Sequence, residues 1–289
     1  MPATLYISDL DGTLMKNDQT ISAFTAEAIN MLVKQGLHFS YATARSILTA
    51  SKITENITAG IPVIVYNGSF IQDSNSREIL YSRFFDKTSA ELILRQLLSS
   101  GVYPIVYSHT GGCERFSYYR DRQNSGISAF LSERRNDVRN TPVAGAAQLP
   151  TDDCFYFTCI DSEEKLYPLY RQFKEEFYCV YQKDIYSGEQ WLEIMPAKTS
   201  KANAVLHLAR LLGCRRIVCF GDGINDIPMF RIADECYAVA NAAPELKEIA
   251  TDIIPCNNED GVAKWLLAHC LNQRSVSYTH LRAHETKAN

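Results

Sequence analysis

The sequence predicts an α/β protein, a doubly wound parallel sheet interrupted by a smaller α+β insert. Three observations predict it. Apolar, β-rich runs alternate with helical patterns near both ends of the chain, the rhythm of a parallel sheet with covering helices. Between them, over residues 83–191, short strands and helices follow one another without tight βαβ spacing. Two acid-rich turns, at Asp9 and at Asp222, each follow an apolar strand, one in each flanking stretch. A length of 289 residues suits about two domains. The expected core is therefore discontinuous, 1–82 plus 192–274, around an insert at 83–191.

The elements follow in order. A first strand over residues 4–8 ends at Asp9-Leu10-Asp11-Gly12-Thr13. Ser22 then caps a helix with Ala28 and Leu32 at helical spacing, which Gly36 ends. A strand over 37–42, a helix from about Ser46 to Ile57 and a strand over 63–66 come next. Phe70-Ile71 and Ile79-Leu80-Tyr81 flank a polar turn and predict a hairpin. In the insert, a helix over 88–98 begins near Asp86 or Thr88, and another covers 162–177. Strands are expected there at 103–107, 154–160, 178–181 and 191–195. The α/β rhythm resumes with a helix over 201–212 capped by Ser200, and a strand over 216–220. A strand near 237–240 and helices near 244–250 and 261–271 complete it.

Composition excludes several classes. Apolar residues make up 46% and charged residues 21%, the balance of an ordinary globular protein rather than a disordered one. Lys and Arg number 29 against 33 Asp and Glu, and no basic stripe is present, so nucleic acid is not an expected partner. No apolar run approaches the roughly 20 residues that span a bilayer, and the first residues carry no secretion signal, so no membrane is expected either. The nine cysteines include no CxxC pair and several sit in apolar runs, which reads as free buried thiols in a reducing cytoplasm. The tail over 275–289 looks like the translation of a transposase adapter from a sequencing library, so His280 and His284 are given no function.

The chemistry begins at Asp9 and Asp11. Residues two apart in an extended segment point the same way, so both carboxylates can face one crevice beyond the end of the strand. Gly12 permits a sharp turn there. Close carboxylates repel unless a cation or a shared proton intervenes, and hard oxygen ligands suit Mg²⁺. The second acidic turn, Gly221-Asp222-Gly223-Ile224-Asn225-Asp226, follows the strand Ile217-Val218-Cys219-Phe220, and Asp222 can complete the cation site that Asp9 begins. Thr43 and Arg45 follow a third strand, where a hydroxyl and backbone N–H groups at a helix start can bind phosphate oxygens. A helix cap is the plainer role for Thr43 and is compatible with it. Lys201, opening a core helix, can reach the same point.

Together, and in the chain order Asp9–Thr13, Thr43, Lys201 and Gly221–Asp226, these four sites resemble the haloacid dehalogenase superfamily of phosphotransferases. The insert between Thr43 and Lys201 looks like the type-IIB cap of Cof-type phosphatases. Further echoes are Tyr66-Asn67-Gly68, Ala240-Asn241-Ala242 and Asn257-Asn258-Glu259-Asp260-Gly261-Val262. The resemblance implies a Rossmann-like core and a two-step reaction. Asp9 would attack phosphorus, and Asp11 would protonate the leaving oxygen and then deprotonate the hydrolytic water. Mg²⁺ would be held by the carboxylates of Asp9 and Asp222 and the main-chain carbonyl of Asp11. Thr43, Lys201 and Asn225, with Leu10 and Ala44, would lie at the phosphoryl oxygens. Asp226 would orient the metal shell or Lys201. Arg45, Asn67 and Asn241 are candidate substrate contacts, and Arg45 has the alternative of an ion pair. Ala44, Lys198, Ala202 and Ala240 stand where the family commonly has Gly, flanking the site without removing a reacting group.

The function implied is a Mg²⁺-dependent phosphatase for small phosphorylated metabolites, sugar phosphates or related cofactors. A phosphomutase and a non-catalytic phosphate-ester sensor are the alternatives. Selectivity is expected from the insert, with Tyr118, Tyr119, Arg120, Tyr181, Tyr186 and Trp191 as candidates.

Overall fold

A computed structural model describes residues 3–183 and 188–270. Tyr186 and the tail over 275–289, with His280 and His284, lie outside the described residues. The chain divides into two compact units, Met1–Tyr81 with the stretch from Ser200 onward, and Ser82–Thr199.

The first unit begins with β1 (Thr4–Asp9), buried from Leu5 to its end as a central strand must be. α1 (Ala23–Lys34) follows, its N-terminus capped by Ser22, whose hydroxyl accepts from Thr25 N at 3.0 Å. Then come β2 (His38–Ala42), α2 (Ile47–Ile53) capped by Ser46, β3 (Pro62–Val65), β4 (Phe70–Asp73) and β5 (Ile79–Ser82).

The second unit comprises α3 (Lys87–Ser99, capped by Asp86), β6 (Ile105–Thr110), β7 (Cys113–Tyr119), α4 (Ser125–Ser132), β8 (Asn140–Val143), β9 (Cys154–Ile160), α5 (Glu163–Phe173), β10 (Tyr178–Lys183) and β11 (Gln190–Met195). Its sheet runs in the order β10-β11-β9-β6-β7-β8. Ile93 and Leu97 of α3 and Leu166 of α5 are buried in one cluster with Val106, Phe157 and Leu192 from the sheet.

The first unit resumes with α6 (Lys201–Leu211), β12 (Arg216–Gly221), α7 (Ile227–Phe230), β13 (Glu235–Val239), α8 (Pro244–Lys247), β14 (Asp252–Ile254) and α9 (Gly261–Cys270). Its sheet order is β14-β13-β12-β1-β2-β3-β4-β5. β14 through β3 are parallel, and β4 returns antiparallel to β3. β1 therefore lies between β12 and β2, and the three strands end on the same edge, where the loops carrying Asp9, Thr43 and Asp222 begin.

Several expectations need correction. The return to the core falls at Ser200 rather than 192, because β11 is paired with β10 along its whole length and with β9 over Trp191–Ile194. β7, α4 and β8 were not expected. The β6–β7 hairpin turns through Gly111 and Gly112, both at positive φ, a turn signal the strand pattern had obscured. α4 is short and depends on Asn124, whose Oδ1 accepts from Ile127 N at 2.9 Å while its Nδ2 donates to the Ile160 carbonyl at 2.6 Å. β14 is three residues long and mostly exposed, too short for a periodic signal. α5 stops at Phe173, with Phe177 N folding back onto the Phe173 carbonyl at 2.8 Å. None of the nine cysteines, all among the described residues, pairs with another; Cys113 alone is exposed. Among the described residues no helix is long and apolar enough to cross a membrane.

Gly68 shows how tightly the first unit is closed. Its φ is +101°, and a Cβ there would run into the Ser200 carbonyl at the start of α6. Gly68→Ala is expected to cost at least about 2 kcal/mol, from the disfavoured φ and from displacing that helix start. The urea midpoint measures it, and an unchanged midpoint would contradict the close approach.

Candidate active site

Asp9 sits at the end of β1 and is 4% exposed. The chain leaves it through one wide turn over Leu10–Leu14, closed by Met15 N donating to the Leu10 carbonyl at 2.9 Å. Gly12 takes φ +73° in that turn. A Cβ at Gly12 would collide with the Asp222 carboxylate, so glycine is what lets the loop after β12 approach β1. Thr13 Oγ1 donates to Asp222 Oδ1 at 3.0 Å and fixes the approach.

The turn is also held from the far end of the chain. Asn241 Nδ2 donates to the Gly12 carbonyl at 2.8 Å, and Asn241 Oδ1 accepts from Asn257 N at 3.0 Å. Asn257 Nδ2 donates in turn to the Met15 carbonyl and to Asn17 Oδ1, both at 2.9 Å. Asn241 was expected as a substrate contact; both ends of its carboxamide are instead engaged with the protein's own backbone. Asp260 continues the tie by accepting from Ser22 Oγ at 2.6 Å and Thr25 Oγ1 at 3.1 Å.

Lys201 enters from the first turn of α6, whose N-terminus Ser200 caps by accepting from Asn203 N at 3.1 Å. Its ammonium is 3% exposed and donates to Asp9 Oδ1 and to Asp226 Oδ1, the latter at 2.9 Å. Asp226 is fully buried, and its second oxygen accepts from Asp222 N and Gly223 N at 3.2 Å each. Asp226 therefore holds both the ammonium and the loop that carries Asp222. Half-buried Asn225 lies between the two acids, on the turn over Ile224–Asp226.

Three carboxylates thus crowd one ammonium. Burial, reinforced by the charge of Asp226, pushes the Asp9 carboxyl well above the usual carboxylate range, against the pull of Lys201. Burial and Asp226 likewise push Asp222 up to about 6, against its bond from Thr13. Burial opposes the charge on Lys201, yet Asp226 and Asp9 outweigh it and hold the ammonium above its ordinary pKa. Carboxylate oxygens of Asp9, Asp222 and Asp226 lie within 4.8 Å of one another. Both oxygens of Asp226 already have partners, so Asp9 and Asp222 are the acids with oxygen to give to a cation. Hard oxygens carrying excess negative charge suit a small divalent ion.

A second group forms beside the first. Thr43 N donates to the Ile64 carbonyl at 2.9 Å, Asn67 N to the Thr43 carbonyl at 3.0 Å, and Tyr66 N to the Arg45 carbonyl at 3.0 Å. The Tyr66–Gly68 turn, with Asn67 at φ +52°, thereby props the loop after β2. Ser46, not Thr43, caps α2. The Thr43 hydroxyl accepts from Arg45 N at 3.1 Å and donates to Asp11 Oδ2 at 3.4 Å. Arg45 forks onto Asp11, its Nη2 donating to Oδ1 at 2.6 Å and its Nε lying 3.0 Å from both oxygens. Of the two sequence alternatives for Arg45, the ion pair is the one formed. Leu10 is fully buried and Ala44 is exposed.

The fold thus gathers Asp9, Thr13, Lys201, Asp222 and Asp226 into one cluster, and Asp11, Thr43 and Arg45 into its neighbour. Thr13 and Asn257 had been quoted within motifs without a role. A hydroxyl four residues after Asp9 was the available signal for the first; nothing in the spacing pointed to the second. In the second unit, Tyr119 packs on Tyr103 (ring centroids 5.8 Å), Tyr181 stacks on Tyr170 (4.9 Å) and Trp191 meets Phe130 edge-on (5.6 Å). Arg120 faces Asp121 at the surface, at 3.3 Å. Tyr118 is half-buried on β7.

The first unit is thus a discontinuous α/β core with three carboxylates and one ammonium gathered at the end of its central strand. A family profile described as haloacid dehalogenase-like hydrolase matches residues 6–266. A 5-amino-6-(5-phospho-D-ribitylamino)uracil phosphatase of Bacillus subtilis is 29% identical over 276 residues, covering 89% of this chain and 95% of its own length. The crystal structure of a haloacid dehalogenase-like hydrolase from Bacteroides thetaiotaomicron superposes with a TM-score of 0.74 at 22% identity, covering 91% of this chain and 98% of that one. A subclass IIB sugar phosphatase of the same superfamily superposes with a TM-score of 0.71 at 19% identity, covering 91% and 97%. The chain belongs to the haloacid dehalogenase-like hydrolase family.

Proposed function

We propose that this protein is a Mg²⁺-dependent phosphatase that hydrolyses monoesters of small phosphorylated metabolites through an aspartyl-phosphate on Asp9. The observation that carries the reading is the sharing of one buried ammonium, Lys201, between Asp9 and Asp226, with Asp222 tied in beside them. Residues 9, 201, 222 and 226 converge at the end of a central strand, where structural packing alone does not call for three acids.

In this reading Asp9 attacks phosphorus, a new O–P bond forms, and the P–O bond to the leaving group breaks. The electron pair goes to the leaving oxygen, which takes a proton from Asp11. Water then attacks the phosphoryl group, Asp11 recovers a proton from it, and the Asp9 carboxylate is released. Lys201 meets the charge on the phosphoryl oxygens, aided by Thr43, Asn225 and the backbone at Leu10 and Ala44. A divalent cation held by Asp9, Asp222 and the Asp11 carbonyl would supply charge neutralisation at the phosphate. Asp226 keeps Lys201 charged and in place.

The second unit is proposed as the cap that selects the leaving group. The named activities of the relatives, on a phosphorylated ribityl pyrimidine and on sugar phosphates, support a polyhydroxylated substrate. The test is phosphate release from a metabolite panel with Mg²⁺ and with EDTA. Metal-dependent release from a subset of sugar or sugar-alcohol phosphates is expected. Conservation of total ester phosphate would point to a mutase, and Mg²⁺ binding with no turnover on any ester would point to a sensor.

The cation has a stability signature with a definite sign. Asp222 titrates at about 6 in the folded chain, above its ordinary 3.8. The folded state then holds a proton that the unfolded chain has already released. That contribution is complete below pH 3.8 and is lost as pH rises through about 6. A bound cation offsets the loss only where Asp222 is ionised. Mg²⁺ is therefore expected to raise Tm more at pH 7.5 than at pH 5, and Asp222→Asn to remove the difference. Equal increments at both pH values would refute this assignment.

A further inference from the structure

The structure assigns Asn241 as a positioning residue for the Asp222 carboxylate, one that acts through the Gly12–Thr13 peptide. The assignment rests on the reading that Asp9 and Asp222 hold a divalent cation, and goes beyond it. The segment over 240–243, which follows β13, grips both halves of that acid pair. Asn241 Nδ2 donates to the Gly12 carbonyl at 2.8 Å, on the turn that leaves β1. Two residues on, Ala243 N donates to the Asp222 carbonyl at 2.8 Å, on the loop that leaves β12. The segment is itself anchored. Ala242 N donates to the Val239 carbonyl at 2.8 Å, Lys247 Nζ to the Ala240 carbonyl at 2.6 Å, and Asn257 N to Asn241 Oδ1 at 3.0 Å.

What the grip controls follows from peptide geometry. A peptide unit is planar, so holding the Gly12 carbonyl also holds Thr13 N and Cα, from which the side chain departs. That side chain carries the hydroxyl that donates to Asp222 Oδ1 at 3.0 Å. The turn and the carboxylate are already in close approach, since a Cβ at Gly12 would collide with it, so a small tilt of the turn moves Asp222. A carboxamide suits this place because it donates and accepts at once, whereas a carboxylate only accepts. Stability alone explains the arrangement poorly. Asn241 is exposed, and one neutral hydrogen bond at the surface adds little wherever it is made. This one ends on the carbonyl that sets Thr13.

The test titrates Mg²⁺ alone into the metal-free protein by calorimetry. Groups that orient a metal ligand typically contribute about 10–100-fold to metal affinity, so Asn241→Ala is expected to weaken Mg²⁺ binding about tenfold or more. The calorimetric stoichiometry counts the folded fraction, so a partly unfolded variant still reports its affinity. Before any metal is added, the Met15 amide, which closes the turn, should exchange its hydrogen faster in Asn241→Ala. In turnover assays the Mg²⁺ concentration for half-maximal rate should rise, while kcat at saturating Mg²⁺ stays within about twofold. Thr13→Val should also weaken Mg²⁺ binding, and adding Asn241→Ala to it should cost clearly less than the product of the two single effects. Asp86→Ala, which removes the cap of α3 in the second unit, is the stability control and should leave Kd unchanged. An unchanged Kd in Asn241→Ala, a full product in the double variant, or an equal loss of affinity in Asp86→Ala overturns the assignment and leaves the phosphatase reading intact. A wild-type protein that binds Mg²⁺ but releases no phosphate from any ester overturns that reading and leaves the assignment standing.

Discussion

Asp9→Asn is expected to reduce phosphate release by at least about 10⁴-fold, the scale of removing a covalent nucleophile. The amide has the shape of the carboxylate and can still accept from Lys201, so the packing around β1 survives. What it lacks is the negative charge that makes the oxygen nucleophilic toward phosphorus. The stability effect should run the other way. Burial and Asp226 already push the Asp9 carboxyl up, so an uncharged side chain at this position relieves repulsion in the metal-free protein. Tm near neutral pH is expected to hold or rise while activity disappears. Phosphate release measured beside thermal unfolding separates the two, and more than about 1% residual activity would exclude Asp9 as nucleophile.

Lys201→Ala should damage both rate and fold. Asp226 is fully buried and Asp9 is 4% exposed, and the ammonium is their shared counter-charge. Removing one member of a buried ionic group typically costs about 3–5 kcal/mol because the remaining charge is left unpaired. The rate loss expected for one transition-state donor is roughly 10²–10³. The two effects separate with pH. Without the ammonium, the buried acids take up protons in the folded state more readily than in the unfolded chain, so the variant should recover stability as pH falls from 7.5 towards 5. Urea unfolding at both pH values measures this, and a pH-independent deficit would mean that the lysine acts through packing alone.

The parts of this molecule that could be read from its sequence share one property, which is that their signal is local. β1, β2 and β12 are apolar runs followed at once by Asp, Thr or Gly-Asp, so strand and loop chemistry sit within ten residues of each other. Ser22, Ser46, Asp86 and Ser200 were legible as helix starts because a cap needs only a short polar side chain at one position. β7 and β8 were not legible, since Cys113–Tyr119 mixes charged and aromatic residues on a half-buried strand and Asn140–Val143 contains a proline. The partner of Arg45 was undecidable for a different reason. Asp11 lies 34 residues away on another loop, and the choice between a substrate anion and an ion pair depends on how those loops are set by Tyr66 and Asn67. The link from Asn257 to Met15 spans 242 residues and leaves no trace in any spacing rule.

That long link has a bearing on how the chain comes into being. The strand that carries Asp9 precedes by about 200 residues the neighbour it needs on one side, which begins at Arg216, and the amides that tie down its exit turn are at 241 and 257. A chain ending before residue 201 holds Asp9 with neither Lys201 nor β12 beside it. The Asp9 turn is thus closed by contacts of very long sequence separation, the kind whose loop-closure entropy makes a site slow to assemble.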